Sequence, residues 1–331
     1  MSGKIRFLTV GTSAITDLFL RGAHLDPRFE HAAVFSRREE TAADFARKHG
    51  APLTFTSLEQ AVRSDAFDAA YVASPNSLHF EQTMLLLEHG KHVLCEKPFA
   101  SNVRQARQMC GLARDKGVSL MEAMKTTFSP TFTRIRSELP RIGPVRRYFA
   151  SYCQYSSRYD RFKQGQDANV FSPAFSGGSL VDIGVYGVYP MVVLFGMPED
   201  IVSKAFLLRS GVDGQGSLIC RYRDMEAVIV HSKIADSSLP SEIQGEQGRI
   251  VIDRINTIDR ARIVWRDGSQ EDISAPHQEY DMVYELSAFL DMIEHKQVES
   301  IVNSFANSLA TMGIMDAVRA QNGIVYPSDN F

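Results

Sequence analysis

The sequence predicts a two-domain protein, in which an α/β domain with a parallel sheet precedes an α+β domain with a large, mainly antiparallel, open sheet. The 331 residues exceed what one ordinary core accommodates, so two domains are expected. Short apolar runs alternate with helical patterns up to about residue 124, whereas strand patterns follow one another between residues 201 and 273. We expect the domains to span 1–122 and 123–331.

The alternation in the first domain places its elements. Strands are predicted at 4–10, 31–35, 53–55, 68–73, 92–95 and 118–124, and helices at 14–23, 38–49, 77–89 and 103–116. Because helices separate most of these strands, we expect right-handed crossovers and a parallel sheet that is covered on both faces.

The second domain has a different order of predicted elements, in which most strands follow one another directly. A helix at 130–139 and a strand at 145–155 precede strands at 203–208, 217–222, 227–234, 249–253 and 262–265. Turn signals such as Asp213-Gly214 and Asp267-Gly268 separate some of the strands. Two amphipathic helices close the chain, with apolar residues at helical spacing around Leu286 and around Leu309. We assign both helices to the second domain.

Composition excludes several classes of protein. The chain is 44% hydrophobic and 23% charged with a formal net charge of -3, and no basic stripe suggests nucleic acid or an anionic membrane as a partner. No apolar stretch approaches the ~20 residues needed to span a bilayer. The four cysteines form no CxxC pair, so neither a disulfide framework nor a metal site is expected, and reduced thiols fit a cytoplasmic protein.

A glycine turn lies where the first predicted strand meets the first helix. It comprises Gly11, Thr12, Ser13, Ala14 and Ile15. A Rossmann domain binds a pyrophosphate at this position, because the tight turn brings the backbone close and the N–H groups of the helix point at negative charge. Only the first glycine of G-x-G-x-x-G is present. An ordinary turn in which Ser13 caps the helix therefore remains an alternative.

The second strand indicates which nicotinamide cofactor is preferred. It ends in Ser36, Arg37 and Arg38 and has no acidic residue at its tip. An acid there would accept from the ribose 2′-hydroxyl of NAD, whereas guanidinium groups suit the 2′-phosphate of NADP. We therefore predict NADP(H) rather than NAD(H). Solvated arginines at a helix start are the alternative.

Three further motifs carry candidate chemistry. The segment 73–79 contains Ser74-Pro75-Asn76 and His79, and a later segment contains Glu96-Lys97-Pro98. Both segments follow strands of the parallel sheet, and open α/β sheets bind ligands at the carboxyl ends of their strands. The third segment, Gly177 to Tyr186, opens a predicted helix in which Asp182 and Tyr186 are four residues apart and share one face.

With the Gly11 turn, these motifs resemble the Gfo/Idh/MocA family of oxidoreductases over essentially the whole chain. Many members carry His where this chain has Tyr186, and the tyrosine form is similar to the glucose–fructose oxidoreductase and dimeric dihydrodiol dehydrogenase branch. The resemblance implies that Tyr186 exchanges the hydroxyl proton with assistance from Lys97, while hydride moves to or from the nicotinamide. It also implies that Asp182 orients the substrate or Lys97, and that the Lys97-Pro98 peptide bond is cis.

The predicted site comprises three groups of residues. The cofactor-binding group is Gly11, Thr12, Ser13, Ala14, Ile15, Ser36, Arg37, Arg38, Ser74, Pro75, Asn76, His79, Glu96 and Lys97. The catalytic group is Lys97, Tyr186 and Asp182. A long polar and aromatic segment supplies candidate substrate contacts at Arg158, Tyr159, Asn169 and Phe171, although a solvated loop explains the same pattern equally well.

The expected function is a reversible NADP(H)-dependent oxidoreductase that acts on a CH–OH or carbonyl group of a sugar, polyol or related diol. A non-catalytic sensor of nicotinamide nucleotides is one alternative, and a structural protein that never releases its cofactor is another. The presence of Lys97, Asp182 and Tyr186 together favours an enzyme. An antiparallel sheet leaves one face open, and the resemblance implies a homodimer or homotetramer formed through the sheet of the second domain.

Overall fold

The computed structural model describes residues 3–166 and 168–330. The chain forms two compact units, Met1–Lys125 with Gln278–Phe305, and Thr126–His277 with Ala306–Phe331. The sequence patterns instead predict that the whole of 123–331 forms the second domain. The difference concerns residues 278–305, which contain one of the two closing helices. An amphipathic pattern shows that one side of a helix is buried, but it does not show which of the two domain cores buries it.

The first unit is built on a six-stranded parallel sheet with the order β3-β2-β1-β4-β5-β6. The strands are β1 Ile5–Val10, β2 Phe29–Phe35, β3 Leu53–Phe55, β4 Ala69–Val72, β5 His92–Glu96 and β6 Leu120–Ala123. The helices between them are α1 Ala14–Ala23, α2 Glu39–His49, α3 Leu58–Arg63, α4 His79–Glu88 and α5 Val103–Lys116. This is the doubly wound order in which ligands bind where the strand order reverses, here between β1 and β4. The predicted Rossmann fold is confirmed.

The central strands of this sheet are apolar because both of their faces are covered. All four residues of β4 are buried, and the ring of Tyr71 stacks on that of Phe19 from α1 at 3.7 Å between ring centroids. Gly22 lies one turn further along the same helix. Burial on both faces explains why these strands appear in the sequence as continuous apolar runs rather than as alternating patterns.

The second unit contains an eight-stranded sheet with the order β14-β13-β12-β11-β7-β10-β9-β8. The strands are β7 Val145–Cys153, β8 Asp200–Leu207, β9 Asp213–Arg221, β10 Glu226–Ser232, β11 Ser241–Gly245, β12 Gly248–Ile252, β13 Ala261–Trp265 and β14 Gln270–Asp272. The helices that precede β8 are α6 Pro130–Glu138, α7 Tyr159–Lys163 and α8 Val185–Phe195. The neighbours β7 and β10 pair in parallel and the other neighbours pair antiparallel, so the predicted mainly antiparallel sheet is confirmed.

One face of this sheet is covered by α8. A Cβ atom at Gly187 would lie 2.8 Å from Ile229 Cγ2 and 3.1 Å from the Cβ of Ala150, so the glycine lets the helix approach β10 and β7 closely. On the opposite face, Val202 is 61% exposed beside Ile219, which is 48% exposed. The sheet therefore has one packed face and one open face, as the sequence predicts.

By length and composition alone, the segment Pro173–Phe195 could cross a membrane, contrary to the expectation that no such stretch exists. It includes α8, and 72% of its most apolar part is buried inside the structure. Coverage by the sheet explains this composition, because a helix enclosed by protein needs no polar face.

Two helices close the chain. The helix α9 Met282–Glu294 belongs to the first unit, and α10 Phe305–Gln321 belongs to the second from Ala306 onwards. Phe289 of α9 packs edge-on against Phe7 of β1, with ring centroids 6.2 Å apart. A Cβ atom at Gly22 of α1 would lie 3.0 Å from the backbone N of Val283, which shows how closely α1 and α9 pack.

Candidate active site

The glycine turn after β1 has the geometry that a dinucleotide needs. Gly11 has φ of +110°, and a Cβ atom there would lie 2.7 Å from the carbonyl oxygen of Ala73, so no other residue fits without strain. Ser13 precedes α1 with an extended backbone, and its side chain makes no capping hydrogen bond. The first-turn N–H groups of α1 are therefore not capped by that side chain, and residues 12–15 are at least partly exposed. This cradle fits a pyrophosphate.

The tip of β2 presents two cations. Arg37 and Arg38 are exposed, and neither guanidinium forms a hydrogen bond or ion pair within residues 3–166 and 168–330. The backbone N–H of Ser36 donates to the carbonyl of Phe55, which fixes the end of the strand. Arg38 lines a surface cleft together with Thr12 of the glycine turn, and the same cleft includes the acids Glu40 and Asp44. The phosphate turn and an unpaired guanidinium therefore border one depression.

His79 links the loops that follow β4 and β5. Its Nδ1 lies 2.9 Å from the carbonyl oxygen of Pro98, and its Nε2 lies 3.0 Å from that of Ser74. The side chain is buried, and burial lowers the pKa of His79. Both ring nitrogens of this predicted cofactor-binding residue therefore face carbonyl groups of the protein.

Glu96 anchors the second of these loops. The phenol of Tyr71 donates to Glu96 Oε1 at 2.5 Å, and the backbone N–H of Lys97 donates to Oε2 at 3.1 Å. The Lys97-Pro98 bond is cis, as predicted. Glu96 is 6% exposed, and burial raises its pKa, against the lowering effect of the neighbouring Lys97 and Lys125 charges. The predicted cofactor ligand Glu96 is thus a buried group that holds the half-buried Lys97 in place.

A second buried carboxyl group comes from α9. Glu285 is fully buried, and neither of its carboxyl oxygens has a hydrogen-bond partner among the described residues. Burial raises the pKa of Glu285 strongly, and the nearby Glu96 and Asp281 raise it further, whereas Lys125 lowers it. Lys125 itself forms an ion pair with Asp281 at 2.6 Å. The sequence analysis missed Glu285, although an acid inside the apolar stripe of a helix is a detectable signal.

In the second unit, buried polar contacts fix the start of the helical segment that carries Asp182 and Tyr186. Asp213 Oδ2 accepts from the backbone N–H of Leu180 at 2.7 Å, and the Ser179 hydroxyl contacts His231 Nδ1 at 2.9 Å. Burial raises the pKa of Asp213 to about 6 and lowers that of His231 to about 3. The Tyr326 hydroxyl donates to the carbonyl of Gly177 at 2.7 Å. The glycine-rich motif is therefore held in one conformation.

Asp182 and Tyr186 both lie near the carboxyl ends of two central strands of the eight-stranded sheet, β7 and β10. Asp182 lies in a π-helical turn, Leu180–Gly184, and Tyr186 lies in the first turn of α8. The Asp182 carboxylate pairs with the ammonium of Lys233, and the ring of Tyr186 meets that of Tyr152 edge-on with centroids 5.7 Å apart. Tyr152 and Lys233 lie near the carboxyl ends of the neighbouring parallel strands β7 and β10.

The predicted substrate segment is only partly exposed. Phe171 is buried, with its ring 5.1 Å from Phe162 and 5.6 Å from Tyr159, so it forms a small aromatic core and is not positioned to contact a substrate. Tyr159 begins α7, where the sequence predicts a loop. Arg158 and Asn169 line a small pocket together with Arg161. Of the four candidates, Arg158 and Asn169 are exposed, Tyr159 is half-buried and Phe171 is buried.

The chain matches two family descriptions in order. Residues 5–124 match the oxidoreductase family with an NAD-binding Rossmann fold, and residues 138–251 match the GFO/IDH/MocA C-terminal domain. The chain belongs to the Gfo/Idh/MocA family. The predicted family is therefore confirmed, and with it the assignment of the chain to the oxidoreductases.

Relatives in the Gfo/Idh/MocA family match this chain along its whole length. The scyllo-inositol 2-dehydrogenase (NADP(+)) IolU of Bacillus subtilis is 52% identical, over 98% of this chain and 99% of its own. A trans-1,2-dihydrobenzene-1,2-diol dehydrogenase of Xenopus tropicalis is 30% identical, over 91% and 93%. Among solved structures, the 3-ketoreductase KijD10 of Actinomadura kijaniata, in complex with NADP and TDP-benzene, is 25% identical with a TM-score of 0.86, covering 97% and 98%.

Lys233 is the main site residue that the sequence analysis missed. The ammonium is paired with Asp182, whereas Asp182 is predicted to orient the substrate or Lys97. The signal was present in the strand pattern, since Ile229, His231 and Lys233 alternate along one face and a cation in that register is unusual. Within the described chain, no group of three or more His, Cys, Asp or Glu side chains is arranged to hold a metal.

Proposed function

We propose that the protein is an NADP(H)-dependent oxidoreductase that reversibly transfers hydride between the nicotinamide and a CH–OH or carbonyl group of a polyol, sugar or related diol. One observation carries this proposal: the chain is 52% identical over 98% of its length to an NADP(+)-dependent scyllo-inositol 2-dehydrogenase. The unpaired arginines at the tip of β2 support the same cofactor.

The cofactor would be held by the residues that end β1, β2, β4 and β5. The turn from Gly11 to Ile15 would bind the pyrophosphate, and Ser36, Arg37 and Arg38 would bind the 2′-phosphate. The backbone that leads into Ser74, Pro75 and Asn76 lies next to Gly11, since a Cβ atom at Gly11 would be 2.7 Å from the carbonyl oxygen of Ala73 and 3.3 Å from the backbone N of Ser74. Once bound, the nicotinamide supplies the hydride acceptor or donor.

Tyr186, assisted by Lys97, would transfer the proton of the substrate hydroxyl. A phenol ordinarily titrates near ~10, so it needs a neighbouring cation to exchange a proton near neutral pH. In the proposed mechanism Lys97 supplies that charge and Tyr186 takes the proton from the substrate hydroxyl during oxidation. Tyr186 returns it during reduction. Asp182, already paired with Lys233, would accept a hydrogen bond from a second substrate hydroxyl.

A substrate screen tests the proposal. Purified protein would be incubated with NADP⁺ or NAD⁺ and with scyllo-inositol, aldoses or trans-1,2-diols, and reduced cofactor would be followed by absorbance. We expect turnover with NADP⁺ that is lost in the Lys97→Ala, Tyr186→Phe double variant. Tight NADPH binding without turnover of any of these compounds would support the nucleotide-sensing alternative instead.

We also propose that the chain self-associates through the open face of the eight-stranded sheet and works in the cytoplasm. An apolar row crosses four neighbouring strands on this face, formed by Val202, Ile219, Val228 and Phe149. Burial of such a row against a second copy is favourable in proportion to its area. Ile219→Glu should lower the mass measured by light scattering to that of the monomer, and a wild-type monomer would contradict the proposal.

A further inference from the structure

One face of β10 packs against the Asp182 helix, which is the π-helical turn Leu180–Gly184 together with the start of α8. Ile229, His231 and Lys233 alternate along the chain and therefore project to the same side. A Cβ atom at Gly184 would lie 3.1 Å from the His231 ring, and a Cβ atom at Gly187 would lie 2.8 Å from Ile229 Cγ2. Lys233 is the next residue in this series, and it reaches Asp182 because the two glycines let the helix lie against the strand.

The backbone of Lys233 is fixed although it lies just beyond β10. Its N–H donates to the carbonyl of Gly214 at 2.8 Å, and its carbonyl accepts from the N–H of Ser156 at 2.9 Å. The second contact holds the segment that leads to Arg158, which lines the small pocket described above. Lys233 therefore connects the Asp182 helix with the polar segment that was predicted to contact the substrate.

The ammonium of Lys233 has unused hydrogen-bonding capacity. An ammonium has three N–H donors. The side chain is 12% exposed, and within residues 3–166 and 168–330 its ammonium forms a hydrogen bond only with Asp182. The Asp182 side chain remains 31% exposed, so its carboxylate is accessible. A mostly buried cation with free donors beside an accessible carboxylate presents donor and acceptor side by side.

We propose that Lys233 is a substrate-binding residue that selects vicinal diols. Its ammonium donates to one hydroxyl oxygen while Asp182 accepts from the neighbouring hydroxyl. A vicinal diol satisfies both groups, whereas a simple alcohol leaves one of them without a partner, which is costly at a buried site. This inference rests on the proposed function, and it assigns the selection of the substrate class to a residue outside the recognised motifs.

The test compares two substrates in each variant. With NADP⁺, kcat/KM would be measured for trans-cyclohexane-1,2-diol and for cyclohexanol in wild type, Lys233→Met and Lys233→Arg. Because the ratio of the two values is taken within one protein sample, it does not depend on the fraction that folds. Arg266→Met serves as the control for loss of a positive charge, since Arg266 is exposed just after β13 in the same unit.

We expect the diol-to-alcohol ratio to fall at least tenfold in Lys233→Met, to recover partly in Lys233→Arg, and to stay unchanged in Arg266→Met. If the wild type uses only scyllo-inositol, its KM should rise at least tenfold in Lys233→Met. An unchanged ratio or KM, even with a lower melting temperature, would overturn this inference alone and leave a structural ion pair. Absence of turnover of these three compounds and of every compound in the earlier screen by the wild type would overturn the proposed function as well.

Discussion

The hydroxyl of Tyr71 and the carboxyl group of Glu96 are joined by a hydrogen bond of 2.5 Å inside the parallel sheet. Tyr71 lies on β4 and Glu96 ends β5, so the bond connects adjacent strands at the level of the cis-proline loop. The other Glu96 oxygen accepts from the backbone N–H of Lys97. The position of the proposed catalytic lysine is therefore coupled to a phenol at the centre of the core.

Tyr71→Phe should lower the free energy of unfolding by about 1–3 kcal/mol, because it removes one donor from a buried carboxyl group and keeps the stacking on Phe19. We also expect a lower kcat, since Lys97 loses part of its support. Urea unfolding and steady-state kinetics provide the two measurements. Tyr189→Phe is the control, because that buried hydroxyl contacts Ser308 in the second unit. Equal loss of kcat in both variants would refute a specific role for the Tyr71 contact.

Arg37→Asp should shift cofactor preference from NADPH towards NADH. A carboxylate repels the 2′-phosphate of NADPH but accepts a hydrogen bond from the ribose hydroxyl of NADH. The ratio of the two dissociation constants, obtained by fluorescence titration, measures the effect. Arg63→Asp makes the same charge change at another exposed arginine and should leave the ratio unaltered. Equal wild-type affinities for the two cofactors would contradict the assignment.

Tyr186→Phe and Lys97→Ala should each lower kcat by about 10²–10⁴ if the two side chains act as one acid–base unit. The double variant should then be little slower than the slower single variant, because groups that act together are not additive. Turnover of the substrate found in the screen gives kcat, and NADPH titration reports whether cofactor binding survives. Lys116→Ala is the control at an exposed lysine. Near-normal turnover of Tyr186→Phe would exclude the phenol from the proton transfer.

Asp213 should make stability depend on pH. Burial raises its pKa from 3.8 to about 6, so between these values the folded protein binds a proton that the unfolded chain has lost. This stabilising contribution is complete below about pH 4 and is lost as the pH rises through about 6. Relative to Asp213→Asn, the wild type should therefore lose on the order of 3 kcal/mol between pH 4 and pH 7. Urea unfolding of both proteins across this range measures the difference. A constant difference would show that Asp213 does not titrate there.

Local sequence signals were sufficient for much of the fold. The bounds of α1 and α5 agree with the predicted 14–23 and 103–116, because both helices have clear apolar spacing and turn residues at their ends. The strand β11 and the short helix α7 were missed. The pattern of β11 is largely polar, and its pairing with β7 and β12 depends on contacts distant in the chain.

The candidate site divides in a similar way. Gly11, Lys97, Asp182 and Tyr186 belong to contiguous motifs and could be identified from the sequence. Lys233 and Glu285 depend on residues far away in sequence, since Lys233 pairs with Asp182 and the pKa of Glu285 is raised by the charge of Glu96. Local patterns report burial and periodicity, but they do not report which distant side chain a buried charge will meet.

The assignment of α9 to the first unit has a consequence for how the chain acquires its structure during synthesis. A ribosome that has released residues 1–125 has delivered all six strands of the parallel sheet, but not the helix that packs on Phe7 and Gly22. The nascent Rossmann unit must therefore expose that apolar surface until 152 intervening residues and α9 have been translated. A gene fragment ending at residue 125 would encode the same unfinished state permanently. A Rossmann unit that can be excised intact has to include α9, joined through a linker that replaces residues 126–277.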